Sequence, residues 1–341
     1  MSEGESILSL DLGGNIKYTL VDVDLDNQIG RILTNGQFQV QTFNEAVIEL
    51  KHKIQNVSEN VLSKLRYVLL SFPAAFSFQY KHPHKVLEEI ITSFKKYFGR
   101  HTKTDISFLL IGRDGEFYDA KTVINLCSVN YKEMFFFFDS YWRGAVEIAR
   151  DIFGLSSFLY LDMGSFSFSI IPIVNGNIKI ERYENRIYTN KLLAIGMKHT
   201  PILLITNEIN LEDASFKPYA YVPLFTADIF ASSGSEQQLL KVSKFLGYPV
   251  IKRREALKTI QYIKDSLSEL VNIVVENILT RYFTGVTQEI PVVLAGDGKN
   301  LLFDILCIEN TKKLLLPMDN THTSLGITYT FLKSIGVRIT W

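Results

Sequence analysis

The stretch FLYLDMGSFSFSIIPIVNG, residues 158–176, decides how this chain is read. An apolar run, 158–161, reaches Asp162, Gly164 permits a tight turn, and the chain leaves as a second strand over 170–174. The pattern is a β-hairpin with a carboxylate at its tip. On the exit, Ser165, Ser167 and Ser169 alternate with Phe166, Phe168 and Ile170, so a period of two places hydroxyls on one face and large apolar groups on the other. Near the N-terminus ILSLDLGGNIKYTLVDVD repeats the design, with a strand over 7–10, Asp11, Gly13 and Gly14, then a second strand over 17–23. Two strand-Asp-x-Gly hairpins about half a chain apart imply two related lobes facing one cleft.

At 341 residues the chain has room for two domains with large cores. Lys plus Arg and Asp plus Glu both number 36, so no basic excess is available to neutralise a nucleic-acid backbone, and a small ligand or a protein is the expected partner. Cys127 and Cys307 are the only cysteines, which excludes a disulfide framework and a cysteine-based metal motif and suits a cytoplasmic setting. No apolar run approaches the roughly 18 residues of a membrane span, and the start MSEGESILSL is acidic where a signal peptide needs basic residues. Lysine-rich helices and exposed aromatics are compatible with a homodimer or a monomer.

Outward from the two hairpins, strands and helices alternate, which predicts α/β lobes. Asn35 and Gly36 read as a turn, 42–64 as a helix, 66–71 as a buried strand, 86–98 as an amphipathic helix closed by Gly99, and 106–112 as a strand. A helix over 141–153 is taken as the hinge connection, giving an N-terminal lobe over 1–153 and a C-terminal lobe over 154–341. The longest helical pattern starts near Ala256 and turns Leu257, Ile260, Lys264, Leu267, Val271, Val274 and Ile278 one way. A strand over 291–295 then runs into Gly296, Asp297 and Gly298, followed by a helical run, a strand over 313–316 and a last helix over 324–334.

Glycines let backbone N–H groups approach phosphate oxygens, and a helix starting after Gly298 would offer its positive end to an anion. A carboxylate at each hairpin could hold Mg²⁺ through water, since magnesium prefers oxygen ligands and keeps several waters. Asp11 and Asp162 are therefore the candidate metal-binding and catalytic residues. Gly13, Gly14, Asn15, Lys17, Gly164, Ser165, Ser167, Gly296 and Gly298 are the candidates for holding a nucleotide or phosphate. Each has a plainer alternative: strand-end carboxylates satisfying turn amides, glycines serving turn geometry, a solvated Lys17, hairpin hydroxyls bonded locally. His82-Pro83-His84 looks metal-like but reads as an exposed loop, and Trp142 with the cluster at 135–138 reads as core.

The order DLGG, DMGS and AGDG resembles the nucleotide-binding fold shared by actin, sugar kinases and heat-shock chaperone ATPases. More narrowly, the chain resembles the hydantoinase A/oxoprolinase-like proteins linked to tetrahydromethanopterin one-carbon transfer, a group including the methanofuran-biosynthesis condensing enzyme. DLGGNIK is similar to that family's DIGGANTK, DMGSFSFSIIPIVNG to DIGSTTTDIIPIKDG, and RREAL to TREAA. RIYTNKLLAIGMKHTP and YVPLFTADIFASSGS match further motifs, Asp228 standing at an acidic position of the second. The resemblance implies a two-lobed actin-like ATPase architecture, ribonuclease H-like in each lobe, with an interlobe cleft. It also implies Mg²⁺, ATP or another phosphorylated small-molecule ligand, and transferase or phosphoester chemistry. Departures stand against this: Phe166, Ser167, Phe168 and Ser169 replace the family's threonines and aspartate, Ala74, Ala75 and Phe78 replace acids, Lys191 replaces a glutamate and His199 an arginine. Apolar groups do no acid–base work, so the alternative is a non-catalytic module of the same fold used for ligand sensing or protein assembly.

Overall fold

A computed structural model describes residues 4–13, 15–39, 43–54, 57, 59–73, 82–99, 102, 105–197, 209–211, 214–216, 229, 235–245, 253–318 and 321–340. The chain opens with β1 (Glu5–Leu12), β2 (Ile16–Asp24), β3 (Ile29–Phe38), α1 (Phe43–Ile54), α2 (Glu59–Ser63), β4 (Leu65–Ser71) and α3 (Pro83–Phe98). It continues through β5 (Ser107–Ile111), β6 (Phe117–Asp119), α4 (Ala120–Val129), α5 (Glu133–Phe137) and α6 (Trp142–Phe153). Next come β7 (Phe158–Met163), β8 (Phe168–Val174), β9 (Asn177–Ile178), β10 (Leu192–Leu193), β11 (Ile209–Leu211), β12 (Ala214–Phe216), α7 (Glu236–Phe245) and α8 (Arg253–Tyr282). The chain then forms β13 (Ile290–Ala295), α9 (Lys299–Ile305), β14 (Thr311–Leu315), α10 (His322–Ser334) and β15 (Arg338–Thr340). No helix of the described residues is long and apolar enough to cross a membrane.

Contacts divide the chain into two compact units, the first being Met1–Leu155, Glu181–Asn185 and Pro317–Trp341, the second Ser156–Ile180 and Arg186–Leu316. The sequence reading draws one boundary near Phe153, whereas the last segment groups with the first unit. The reason is its packing: Ile327, Phe331 and Leu332 of α10 close over Ile7, Val21 and Leu69 of the first sheet, and β15 adds a parallel strand beside β3. Residues 181–185 also belong to the first unit. There the Arg113 guanidinium, paired with Asp139 at 2.5 Å, donates to the carbonyls of Glu181 and Glu184, both at 2.9 Å.

The first unit carries a sheet in the order β15-β3-β2-β1-β4-β5-β6, with β1, β2 and β3 antiparallel and β4 and β5 parallel to β1. The second unit's sheet runs β10-β8-β7-β13-β14, with β9 also paired to β8. Here β7 and β8 are antiparallel while β13 and β14 run parallel to β7. In both units the hairpin strand that carries the aspartate has its hairpin mate on one side and a parallel strand on the other. Each sheet buries one face on a large core. Leu8, Leu10 and Leu12 meet Val47, Leu50, Leu87, Ile90 and Phe94 in the first. In the second, Leu159, Leu161, Phe168 and Ile170 meet Leu267, Val271 and Ile278 of α8.

Local differences from the sequence reading have physical causes. Asn35 and Gly36 lie inside β3, not in a turn, because the β2–β3 turn falls at 25–28; Gly36 makes room for Tyr18, whose Oη would stand 2.9 Å from an added Cβ. The helix expected over 42–64 is two helices, α1 and α2. On α8 the buried stripe runs through Ile260, Ile263 and Leu267, leaving Leu257 exposed. Pro83 of the His-Pro-His run starts α3 rather than lying in a loop, as a proline can where its missing N–H costs nothing. Trp142 and residues 136–138 are core, as expected, while Phe135, expected with them, is half-buried.

The two cysteines differ in reactivity. Burial, with a smaller push from the Glu133 carboxylate, raises the Cys127 thiol to about 12, so it stays protonated well above neutrality. Cys307 is exposed. A disulfide reagent at pH 8 is expected to label one thiol per native chain rapidly and both after denaturation; rapid double labelling of native protein would contradict the buried placement.

Candidate functional site

In the first unit, alternation along β1 puts Ile7, Ser9 and Asp11 on the face covered by α10. Register brings Thr19 opposite Ser9 and Lys17 opposite Asp11, while Ser71 lies beside Asp11 on β4. This face grades from apolar packing of Ile7 against α10, through hydroxyls, to charge. Thr328 Oγ1 donates to Ser9 Oγ at 2.6 Å, Thr19 and Ser324 hydroxyls are 3.0 Å apart, and Thr323 Oγ1 donates to Asp11 Oδ2 at 2.6 Å. The Lys17 ammonium lies 3.6 Å from the same Asp11 oxygen, and Ser71 Oγ donates to Oδ1 at 3.5 Å. Asp11 is 2% exposed, so these donors replace the water that a buried carboxylate would otherwise lack.

The turn residues behave less uniformly. Gly13 sits beside the Asp11 carboxylate, whose oxygens would be 3.8 Å from an added Cβ. Asn15 is tied to the end of the sheet, accepting from Gln39 Nε2 at 2.6 Å and donating to Gln37 Oε1 at 3.4 Å. Gly14 lies outside the described residues, as do Ala74, Ala75, Phe78, His199 and Asp228.

In the second unit, Asp162, also 2% exposed, lies opposite Ser169 on β8 and beside Ala295 on parallel β13. The Gly296-Asp297-Gly298 turn therefore begins next to it. Gly296 has φ of +84°, and a Cβ there would stand 2.5 Å from the Met163 carbonyl oxygen and closer still to Asp162 Oδ1. Gly298 N donates to that Met163 oxygen at 2.9 Å, and Ser165 Oγ donates to Asp297 Oδ2 at 2.8 Å. The two turns interlock around one carboxylate. Gly164 N donates to Ser167 O at 2.9 Å, closing the hairpin turn.

Because that turn occupies 164–167, the strand period begins only at Phe168. Phe166 is consequently 43% exposed rather than buried with Phe168 and Ile170, while Ser165 is buried and Ser167 half-buried. The helix after Gly298 spans seven residues, and the amides of Gly298 and Lys299 donate to Met163 and Gly296 carbonyls. The two amides at its very start are thus engaged within the protein. Three participants escaped sequence reasoning. Thr323 lies in the Thr-His-Thr-Ser run of 321–324 that opens α10, Asp297 sits between two candidate glycines, and Arg186 is a buried guanidinium donating to Ser169 Oγ at 3.4 Å.

The polar groups that meet the Asp11 carboxylate are the hydroxyls of Thr323 and Ser71 and the Lys17 ammonium. A lone carboxylate with neighbouring hydroxyls fits a hard cation held largely through water, and suits magnesium better than an all-protein cage would. No cluster of three or more His, Cys, Asp or Glu able to hold a metal occurs among the described residues.

No protein-family model and no curated protein matches this sequence. Among solved structures, acetone carboxylase, from a study of ATP-dependent acetone carboxylation, is similar at a TM-score of 0.60 and 9% identity, covering 95% of this chain and 70% of that one. Ethanolamine utilization protein EutJ from Carboxydothermus hydrogenoformans aligns at 0.45 and 13% identity over 94% of this chain and 88% of its own. MreB 5 of Spiroplasma citri bound to AMPPNP aligns at 0.43 and 14% identity over 97% of each chain. With two ribonuclease H-like sheets, each carrying an aspartate on its hairpin strand, the chain has the α/β fold of the actin-like ATPases.

Proposed function

We propose that this chain binds a nucleotide or another phosphorylated small molecule together with Mg²⁺, and that it is a divergent cytoplasmic member of the hydantoinase A/oxoprolinase-like group, similar to the methanofuran-biosynthesis condensing enzyme. The observation that supports this is the recurrence of one arrangement in both units. A 2% exposed carboxylate stands near the end of a hairpin strand and next to a glycine turn in each; Asp11 is met by hydroxyls and an ammonium, and Asp162 adjoins the turn in which Ser165 donates to Asp297. Bound Mg²⁺ would neutralise phosphate charge and orient the transferred group. In the first unit Asp11 would order its waters, Lys17 would offer positive charge to a phosphate and the amide of Gly13 would approach its oxygens; in the second unit Asp162 would play the same part toward waters.

A second reading, ligand binding without catalysis, is favoured by Lys191. Where the resembled family has a glutamate, this lysine is buried, donates to the Lys179 carbonyl at 2.7 Å and lies 4.9 Å from the Tyr282 ring centre. An ammonium so placed contributes to packing where the resembled family has an acidic group.

Titration of the protein with Mg²⁺-ATP and with Mg²⁺-diphosphate compounds tests the proposal. A ligand at a hundred times its Kd adds about 2.7 kcal/mol of stability, a readily measured rise in melting temperature. Asp11→Asn keeps the shape and removes the charge, and is expected to weaken Mg²⁺-dependent binding about tenfold or more. Absence of any shift in the wild type, or unchanged Mg²⁺ affinity in Asp11→Asn, would overturn the assignment.

A further inference from the structure

Thr323 reaches Asp11 across 312 positions of sequence, and the bond between them is short and buried. Two donors compete for Asp11 Oδ2: the Thr323 hydroxyl at 2.6 Å and the Lys17 ammonium at 3.6 Å, beyond hydrogen-bonding distance. Ser71 holds the other oxygen only at 3.5 Å. Thr323 is therefore the shortest of these three contacts and the one best able to fix the carboxylate's rotation. Its own position is well determined. One turn further along α10, Gly326 touches the backbone of Gly144 on α6, and Ser324 and Thr328 anchor the helix to Thr19 and Ser9.

We propose that Thr323 is a positioning residue, whose hydroxyl holds the Asp11 carboxylate turned away from full capture by Lys17 and so available to the cation. This rests on the reading of Asp11 as a metal-holding group. Without the hydroxyl, Oδ2 loses its nearest donor, and rotation toward the ammonium closes the 3.6 Å gap into a direct ion pair. A carboxylate committed to Lys17 is a poorer ligand for the waters of Mg²⁺.

The test compares wild type, Thr323→Val and Thr323→Ser. Valine keeps the shape without the donor, and serine keeps the donor. Mg²⁺-ATP affinity measured calorimetrically is expected to fall about tenfold in Thr323→Val and to stay within about twofold in Thr323→Ser. Melting temperatures of the unliganded proteins, taken alongside, separate aim from stability: a packing role would lower the melting temperature and leave the affinity of the folded protein unchanged. Crystal structures of wild type and Thr323→Val complete the test without any ligand. A carboxylate turned toward Lys17 supports the proposal, and one in its original orientation overturns it. Equal affinity in wild type and Thr323→Val also overturns it. Lack of Mg²⁺-ATP binding by the wild type defeats the reading of Asp11 instead, and the two crystal structures then decide the role of Thr323.

Discussion

Replacing Gly144 or Gly326 by alanine is expected to destabilise the first unit by about 2–3 kcal/mol each, at the upper end of the usual cost of overpacking. Intrinsic helix propensity pulls the other way, since alanine in a helix interior is favoured over glycine by about 1 kcal/mol. The steric effect wins because of what the new methyl meets. A Cβ on Gly144 would stand 2.5 Å from the Ile327 nitrogen, and one on Gly326 would stand 2.5 Å from the Ala145 nitrogen. Both obstacles are main chain, so no rotamer change relieves them, and α6 and α10 must move apart. That separation loosens Ile327 and Phe331 from the sheet and strains the Thr328 to Ser9 bond. Both methyls would enter the same gap, so the double variant is expected to cost at least about 1 kcal/mol less than the sum of the singles. Guanidinium denaturation followed by the fluorescence of Trp142, fully buried on α6, measures all three. Wild-type stability in either single variant, or strict additivity in the double, would show that the helices do not meet at this point.

Which features were legible in the sequence follows from the range of the forces involved. The two Asp-Gly hairpins, the strand read over 291–295 and the long helix read from near Ala256 are each specified by local period and by glycine, and they stand within a few residues of where the pattern placed them. Gly36 misled because a glycine that makes space for Tyr18 across a strand pair looks the same in sequence as one that makes a turn. Phe166 misled because alternation was carried back into residues that a Gly164 to Ser167 hydrogen bond closes into a turn. The assignment of α10 to the first unit had no local signal, since its partners Ile7, Val21 and Leu69 lie more than two hundred residues away. For the same reason Thr323 was invisible as a neighbour of Asp11, although four buried residues in a row, Thr321 to Ser324, mark a helix start that faces something polar.

At the second hairpin, Gly296→Ala is expected to cost about 3–5 kcal/mol and to abolish whatever binding depends on Asp162. Two effects add there. A left-handed backbone at φ +84° penalises any Cβ, and the methyl would press on the Met163 carbonyl oxygen at 2.5 Å and on the Asp162 carboxylate. Moving that carbonyl also disturbs its bond from the Gly298 amide, so the two turns unlock together. Two neighbouring glycines separate the contributions. Gly285 has φ of +82° with nothing within 4 Å, so Gly285→Ala should show the backbone effect alone, about 1–2 kcal/mol. Gly298→Ala would press on the Met163 side chain, with Cγ and Sδ at 2.7 Å and Cβ at 2.9 Å; the thioether can turn aside but the Cβ cannot, so a small backbone shift costing about 1–2 kcal/mol is expected. Denaturation midpoints of the three variants should therefore rank Gly296→Ala far below the other two. If Gly296→Ala is no worse than Gly285→Ala, the close fit of that turn against Asp162 contributes nothing, and the aspartate is free to adopt other orientations.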